Sequence, residues 1–249
     1  MTPDERAECQ SNGSLMRASP LALLSIFTNE RMISTNEIAN YTNILPDIAT
    51  IICNYLYYPL SENDEKRIKQ DTNITNKNSV NQYCNLIFVA ILKMLLDGKS
   101  KNECKDYYKS FLQSPCEALL RFKNEEDVPS EVKDSINDSL EEKDERNIVS
   151  KKGWVCNSFY IAFYAFWNFN SLESALKFII KDHPGSDSDT NGSICGALFG
   201  AWLGFDKINQ EVLTKQNIVK IDRYWFTSDS IYKLTPELFD RLKNMLNEI

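Results

Sequence analysis

Two carboxylates and a hydroxyl lie within four consecutive residues in the last third of the chain. Asp187, Asp189 and Thr190 follow a Pro-Gly turn and precede an apolar, glycine-rich stretch. Oxygen atoms spaced this closely can hold Mg²⁺ or Ca²⁺, which prefer carboxylate, hydroxyl and water ligands. A structural interpretation is equally open, because Asp residues at a helix N-terminus cap its free amides and stabilise it by about 0.5–2 kcal/mol. The segment therefore predicts either a metal site or a helix cap.

An EF-hand calcium loop is a third interpretation of the same segment. Asp187, Asp189, Asn191 and Gly192 fall at the spacing of the first ligands and the glycine of that loop. The loop must end on a Glu that binds the ion through both carboxylate oxygens, and that place is taken by Leu198. Loss of the bidentate ligand argues against an EF-hand.

A stripe of glycines follows the two carboxylates. Gly192, Gly196, Gly200 and Gly204 recur every four residues, a spacing that places small residues along one side of a helix and permits close approach of a neighbour. Each glycine costs a helix up to about 1 kcal/mol relative to alanine, so four of them require a packing reason. We expect a central, tightly surrounded helix that fixes Asp187 and Asp189 at its N-terminus.

Helical patterns recur along the rest of the chain and predict an all-α, compact multi-helix fold. The apolar segment 84–96 ends at Asp97-Gly98, where glycine can adopt the left-handed conformation that terminates helices. Residues 155–167 are apolar nearly all round, as in a helix buried on most sides. We expect a single domain over residues 1–249, with the charged segment 123–147 as an exposed, partly helical excursion that contributes little to the core.

Composition excludes several other classes of protein. The 249 residues are 43% hydrophobic, enough for a sizeable core. The formal net charge of −7 disfavours nucleic-acid binding. Seven scattered cysteines without a CxxC pair indicate a reducing compartment. No signal peptide is apparent, and no apolar run approaches the roughly 18–20 residues that span a bilayer. These features predict an intracellular, cytoplasmic protein without a membrane partner.

Three segments, in order along the chain, resemble motifs of one enzyme family. Residues 185–204, GSDSDTNGSICGALFGAWLG, are similar to the Gly-Gly-Asp-x-Asp-Thr motif and the Gly/Ala-rich helix of the ADP-ribosylglycohydrolases. Residues 12–21, NGSLMRASPL, resemble the family's Asn-Gly-x-x-Met-Arg-x-x-Pro-Leu segment, and residues 153–155 its Gly-Tyr-Val segment. The family includes dinitrogenase reductase-activating glycohydrolase and the ADP-ribosylarginine and ADP-ribosylserine hydrolases.

The resemblance implies a fold, a reaction and a set of site residues. Its members are all-helical hydrolases that use two Mg²⁺ ions to cleave the glycosidic bond at the anomeric carbon of ADP-ribose. By this resemblance Asp187 and Asp189 are catalytic and, with Thr190, bind metal, while the backbone around Asn12, Gly13 and Ser14 approaches the diphosphate. The implied partner is ADP-ribose or an ADP-ribosylated protein.

Departures from the family pattern suggest a second interpretation. A Thr-Asp-Asp motif that supplies further metal ligands precedes the Asn-Gly segment in the family, whereas this chain begins a few residues before Asn12. We therefore expect an N-terminally truncated domain whose missing part is supplied by a separate segment, with weak Mg²⁺ binding and slow or absent turnover alone. The alternative function is that of a catalytically inactive relative that binds ADP-ribose or metal, or serves as a structural protein.

Other conspicuous side chains favour structural roles. Arg17 is expected in an ion pair rather than on a phosphate. The aromatic residues between Phe159 and Trp167 recur at helical spacing, which favours the core over stacking on adenine. His183, the single histidine, adjoins the Pro-Gly turn and suits a helix C-terminus.

Overall fold

The computed structural model describes residues 9–27, 59–113, 127–141, 152–182 and 186–208. Helices dominate these ranges, and no strand occurs in them beyond an isolated antiparallel bridge between Ser11 and Trp154. The predicted all-α class is confirmed. The helices are α1 (Gly13–Met16), α2 (Ser19–Phe27), α3 (Glu62–Thr75), α4 (Ser79–Leu96), α5 (Lys101–Ser110), α6 (Ser130–Leu140), α7 (Val155–Asn168), α8 (Leu172–Lys177), continued by a π-helical turn (Phe178–Asp182), and α9 (Ser188–Ile208).

Helix α4 runs through the core and has the predicted end. The side chain of Asn78 caps its N-terminus by accepting a hydrogen bond from the Asn81 amide. At the C-terminus Gly98 has φ 82°, and the amides of Gly98 and Lys99 donate to the carbonyls of Leu95 and Met94. This left-handed glycine closes the helix as the sequence predicts.

Length and composition alone would allow α4 to cross a membrane, although polar residues interrupt its apolar sequence. All 18 of its residues form a candidate span, but 72% of that window is buried inside the fold. The helix packs on α2, α3 and α9. That burial is typical of the core helix of a soluble protein, whereas the cytoplasmic location stays a prediction.

Helix α7 is the most deeply buried element among the described residues, and its aromatic side chains form the core as predicted. Every residue from Val155 to Trp167 is buried. Phe163 is fully buried, and its ring centroid lies 4.6 Å from those of both Tyr108 and Phe159. The rings of Phe163 and Trp167 are 5.9 Å apart. These aromatics pack on one another, so stacking on an adenine is not their role.

The expectation that the charged segment contributes little to the core is wrong for residues 127–141. Helix α6 places its charged residues on one side and packs the other against α7. Val132 and Ile136 are fully buried, and Ser139 is within 2.9 Å of the Tyr108 hydroxyl. The reason is the four-residue spacing of Val132 and Ile136, which gives a strongly charged segment one apolar face.

Among the described residues, the glycine stripe of α9 shows no close crossing of a neighbouring helix at Gly196 or Gly200. A Cβ atom added at Gly196 would meet no described atom within 4 Å, and at Gly200 only Ile208 at 3.9 Å. The helix is instead held through its large apolar residues, because Leu198 and Phe199 are fully buried. The glycine that requires its conformational freedom is Gly204, whose φ of 75° and ψ of 169° kink α9.

Lys101 provides a pH-dependent contact between α5 and α9. Its ammonium group lies 4.5 Å from the ring centroid of Trp202 and 5.0 Å from that of Phe166, and it donates a hydrogen bond to the Phe169 carbonyl at 2.8 Å. Burial, aided by the charge of Lys105, lowers the pKa of Lys101 to about 8. An unfolded lysine has a pKa near 10.4.

We predict that this shift makes stability depend on pH. Between about pH 8 and about pH 10.4 the unfolded chain binds the Lys101 proton that the folded chain has released, so the free energy of unfolding rises with pH. Lys101→Met keeps the apolar stem and removes the ionisation. Urea unfolding at about pH 8 and pH 10 should show the wild type gaining stability relative to this variant. An equal change in both chains would contradict the assignment.

Candidate active site

The Asn-Gly-Ser segment is held by pairing with the Gly-Trp-Val segment about 140 residues later. The amide of Asn12 donates to the Gly153 carbonyl at 2.9 Å, and the amide of Val155 donates to the Gln10 carbonyl at 2.9 Å. The indole of Trp154 donates to the side chain of Gln10 at 2.8 Å. Two of the three motifs seen in the sequence therefore lie side by side.

Two buried asparagines, Asn76 at the end of α3 and Asn81 in α4, donate hydrogen bonds to the same loop. Asn81 donates to the Ser11 carbonyl at 2.7 Å and to the Ser14 hydroxyl at 2.9 Å. Asn76, at the end of α3, donates to the Cys9 carbonyl at 2.9 Å. Since Asn76, Asn81 and Ser14 are fully buried, these bonds hold the loop in one conformation.

The side chain of Asn12 links the first motif to Asp187, which belongs to the third motif. Its amide nitrogen donates to the Ser158 hydroxyl at 2.9 Å and to Oδ2 of Asp187 at 2.6 Å. The second distance is short, as expected when the acceptor is ionised. Although Asn12 precedes α1, its side chain makes no capping bond to that helix. Its amide nitrogen bonds instead to Ser158 in α7 and to Asp187 at the start of α9.

The two carboxylates lie at the start of α9, and the pKa of Asp189 depends on its neighbours there. The Asp187 carbonyl accepts the Asn191 amide at 2.9 Å, which begins the helix. The pKa of Asp189 lies below its usual value, first because its carboxyl group is in hydrogen-bond contact with that of Asp187, then because the amides of Thr190 and Asp189 donate to it. Asp189 is exposed and ionised at neutral pH, while Asp187 is half-buried.

Thr190 links the start of α9 to α1. Its side chain is only 4% exposed, and its hydroxyl lies 3.7 Å from the sulfur of Met16. A thioether is a weak acceptor, so the hydroxyl is not committed to a strong bond. Thr190 is thus a buried hydroxyl, one residue after Asp189, whose hydrogen-bonding capacity is largely unused within the described residues.

The oxygen atoms at this site have the chemistry that Mg²⁺ requires. Two carboxyl groups in hydrogen-bond contact repel each other when both are ionised, and a cation or a shared proton relieves that repulsion. Within the ranges that the structure describes, no group of three or more His, Cys, Asp and Glu side chains is arranged to hold a metal. The carboxylates of Asp187 and Asp189 and the Thr190 hydroxyl are of the chemical class that Mg²⁺ prefers, and an ion held by them would take its remaining ligands from water or substrate.

Arg17 forms the ion pair expected of it, with Asp71, although the pair is partly exposed and not buried. It donates to Oδ2 of Asp71 at 3.2 Å, to the Asp71 carbonyl at 2.8 Å and to the Thr75 hydroxyl at 2.9 Å. These bonds tie α1 to α3. The guanidinium group is used within the fold and is not directed to a phosphate.

The structure brings some predicted site residues together and separates others. Asn12, Asp187, Asp189 and Thr190 share one site. The Ser14 side chain is instead buried under the loop, so Gly13 and Ser14 could meet a ligand only through their backbone.

Sequence reasoning missed Ser158 and Asn81. Both are polar residues inside otherwise apolar helices, and both are fully buried. A buried polar residue in such a helix must find a hydrogen-bond partner. That requirement was the signal that could have identified them.

Comparison with known proteins identifies the family of the chain. A family model described as ADP-ribosylglycohydrolase matches residues 2–245. Neither the curated proteins nor the solved structures give a match. The match begins at residue 2 and covers nearly the whole chain, which corrects the expectation of an N-terminal truncation and gives no support to a separate complementing segment. The chain belongs to the ADP-ribosylglycohydrolase family.

Proposed function

We propose that this protein releases ADP-ribose from a modified acceptor by hydrolysing the glycosidic bond at the anomeric carbon. The supporting observation is the convergence of three distant segments, in which Asn12 contacts Asp187 at 2.6 Å and pairs by its backbone with Gly153. Family membership supports the reaction type. In the reaction, water adds a hydroxyl to the anomeric carbon and a proton to the departing acceptor.

Asp187, Asp189 and Thr190 would hold Mg²⁺ at this site. When bound, the ion supplies Lewis-acid polarisation of ribose oxygens and lowers the pKa of a coordinated water. The carboxylates provide negative charge that favours a divalent ion. Thr190, anchored against Met16, provides a neutral oxygen.

Asp189, together with the Asn12 loop, would also bind and orient the substrate. The Asp189 carboxylate is exposed and ionised, so it can accept hydrogen bonds from ribose hydroxyls. The backbone of Gly13 and Ser14 lies at the start of α1, where helix amides lack partners within the helix and suit an anion such as the diphosphate. Asn12, between the two regions, fixes Asp187.

A non-catalytic relative that binds ADP-ribose or metal is the second candidate. It is favoured by the small number of charged ligands, because among the described residues only a carboxylate pair faces the proposed ion. Such a protein would bind ADP-ribose and leave a modified peptide intact.

Release of free ADP-ribose distinguishes the two functions. The purified chain is incubated with peptides ADP-ribosylated on arginine or on serine, in Mg²⁺ or in EDTA. Hydrolysis predicts release in Mg²⁺ and none in EDTA, and the two peptides identify the acceptor. Binding of ADP-ribose without release from either peptide would instead establish the non-catalytic function.

A further inference from the structure

We infer that Ser158 is a positioning residue that acts through Asn12 to hold the carboxylate of Asp187. The inference rests on the proposed function and extends it to a side chain outside the three motifs. Ser158 lies in the first turn of α7, 146 residues from Asn12.

The bond geometry defines how Asn12 must be oriented. An asparagine amide nitrogen carries two hydrogens, and here the acceptors are the Ser158 hydroxyl at 2.9 Å and Oδ2 of Asp187 at 2.6 Å. Both hydrogens are therefore used. If the amide were flipped, its oxygen would face the carboxylate and the two would repel each other. The carboxylate of Asp187 thus selects the orientation of the amide, and Ser158, by accepting the second hydrogen, holds the Asn12 side chain in the position from which it donates to Asp187.

The effect on Asp187 follows from that bond. The bond to Oδ2 restricts rotation of the carboxylate and so fixes the direction of the lone pairs that remain for an ion or a ribose hydroxyl. Partners that orient metal-binding carboxylates in this way affect metal affinity and activity by roughly 10- to 100-fold when removed. Asn12 therefore orients the carboxylate of Asp187, in addition to lying next to the proposed substrate.

Ser158 is a rigid anchor because of its surroundings. Its side chain is 0% exposed, and Asn12 is 7% exposed. Helix α7 is buried along its whole length from Val155 to Trp167. Without the hydroxyl, one hydrogen of the Asn12 amide would lack a partner in a buried environment, and the bond to Asp187 alone would hold the amide.

The first experiment compares Ser158→Ala with Ser135→Ala. Both remove one buried helical hydroxyl, but Ser135 belongs to α6, where its hydroxyl donates to the Glu131 carbonyl. We expect Ser158→Ala to lower kcat and to weaken Mn²⁺ binding, measured by calorimetry without substrate, each by roughly tenfold. KM for the peptide should stay within about twofold, because substrate contacts are retained. Ser135→Ala should leave all three quantities within about twofold.

Two further comparisons separate positioning from packing. Thr and Val have nearly the same shape, so Ser158→Thr and Ser158→Val share any overpacking cost, and only Thr keeps the hydroxyl. We expect Thr to retain Mn²⁺ affinity and kcat relative to Val. Because Ser158 acts only through Asn12, the double variant Asn12→Ala with Ser158→Ala should be no slower than Asn12→Ala alone.

The outcomes distinguish this inference from the proposed function. An active wild type whose Ser158→Ala variant behaves like Ser135→Ala would refute the positioning role and leave the function standing. Additive losses in the double variant would also refute it. A wild type that neither turns over nor binds Mn²⁺ would overturn the proposed function and this inference together.

Discussion

Asp187→Asn should reduce kcat for Mg²⁺-dependent ADP-ribose release by about a hundredfold or more, and Asp189→Asn should do the same. Each substitution removes one of the two negative charges that face the proposed ion and puts an amide in place of a carboxylate oxygen. Misplacing reacting groups by small distances alone costs about a hundredfold in rate. Steady-state release of ADP-ribose at saturating peptide and Mg²⁺ measures the effect.

Substitution by asparagine distinguishes a catalytic role from helix capping, because it keeps an oxygen that can cap the helix and removes the negative charge. Asn caps helices about as well as Asp, so both variants should melt close to the wild type if the carboxylates only stabilise α9. Asp106→Asn is a matched control, since Asp106 lies on α5 and its side chain is 79% exposed. Unchanged kcat in the Asp187 and Asp189 variants would show that these residues are structural caps.

Phe163→Ala should destabilise the protein by about 3–5 kcal/mol, which is typical when a buried phenylalanine is truncated. Phe163 is fully buried between α5 and the rest of α7, and its ring contacts Tyr108, Phe159 and Trp167. Truncation removes these contacts and leaves a cavity that the surrounding helices fill only partly. Urea unfolding measures the free energy, and Tm should fall by roughly 10 °C in a chain of this size.

Ile180→Ala is the control for this prediction. Ile180 is 58% exposed in the π-helical turn, so its truncation should change the free energy of unfolding by about 0.5 kcal/mol or less. A similar loss in both variants would mean that the aromatic cluster is not the dominant core of the described helices.

Local features of the fold followed from the sequence because their causes are local. The apolar run from Val155 to Trp167 has no polar side, so a helix formed there has to be buried. The end of α4 follows from Gly98, which reaches φ 82° without steric cost. The spacing of Asp187, Asp189 and Thr190 at a helix start likewise depends on neighbouring residues alone. Family membership and the all-α class could be predicted from such features.

Contacts across long stretches of chain were decided only by the tertiary structure. The glycine spacing in α9 is compatible with a close helix crossing, but only the neighbours of the helix determine whether one occurs, and a Cβ atom added at Gly196 would meet no described atom within 4 Å. The sequence of α6 is strongly charged, and only the packing of this helix on α7 shows that Val132 and Ile136 are buried. The link from Ser158 to Asn12 to Asp187 spans 146 and 175 residues. No local pattern encodes it, because hydrogen-bond geometry exists only after α7, α9 and the Asn12 loop have packed together.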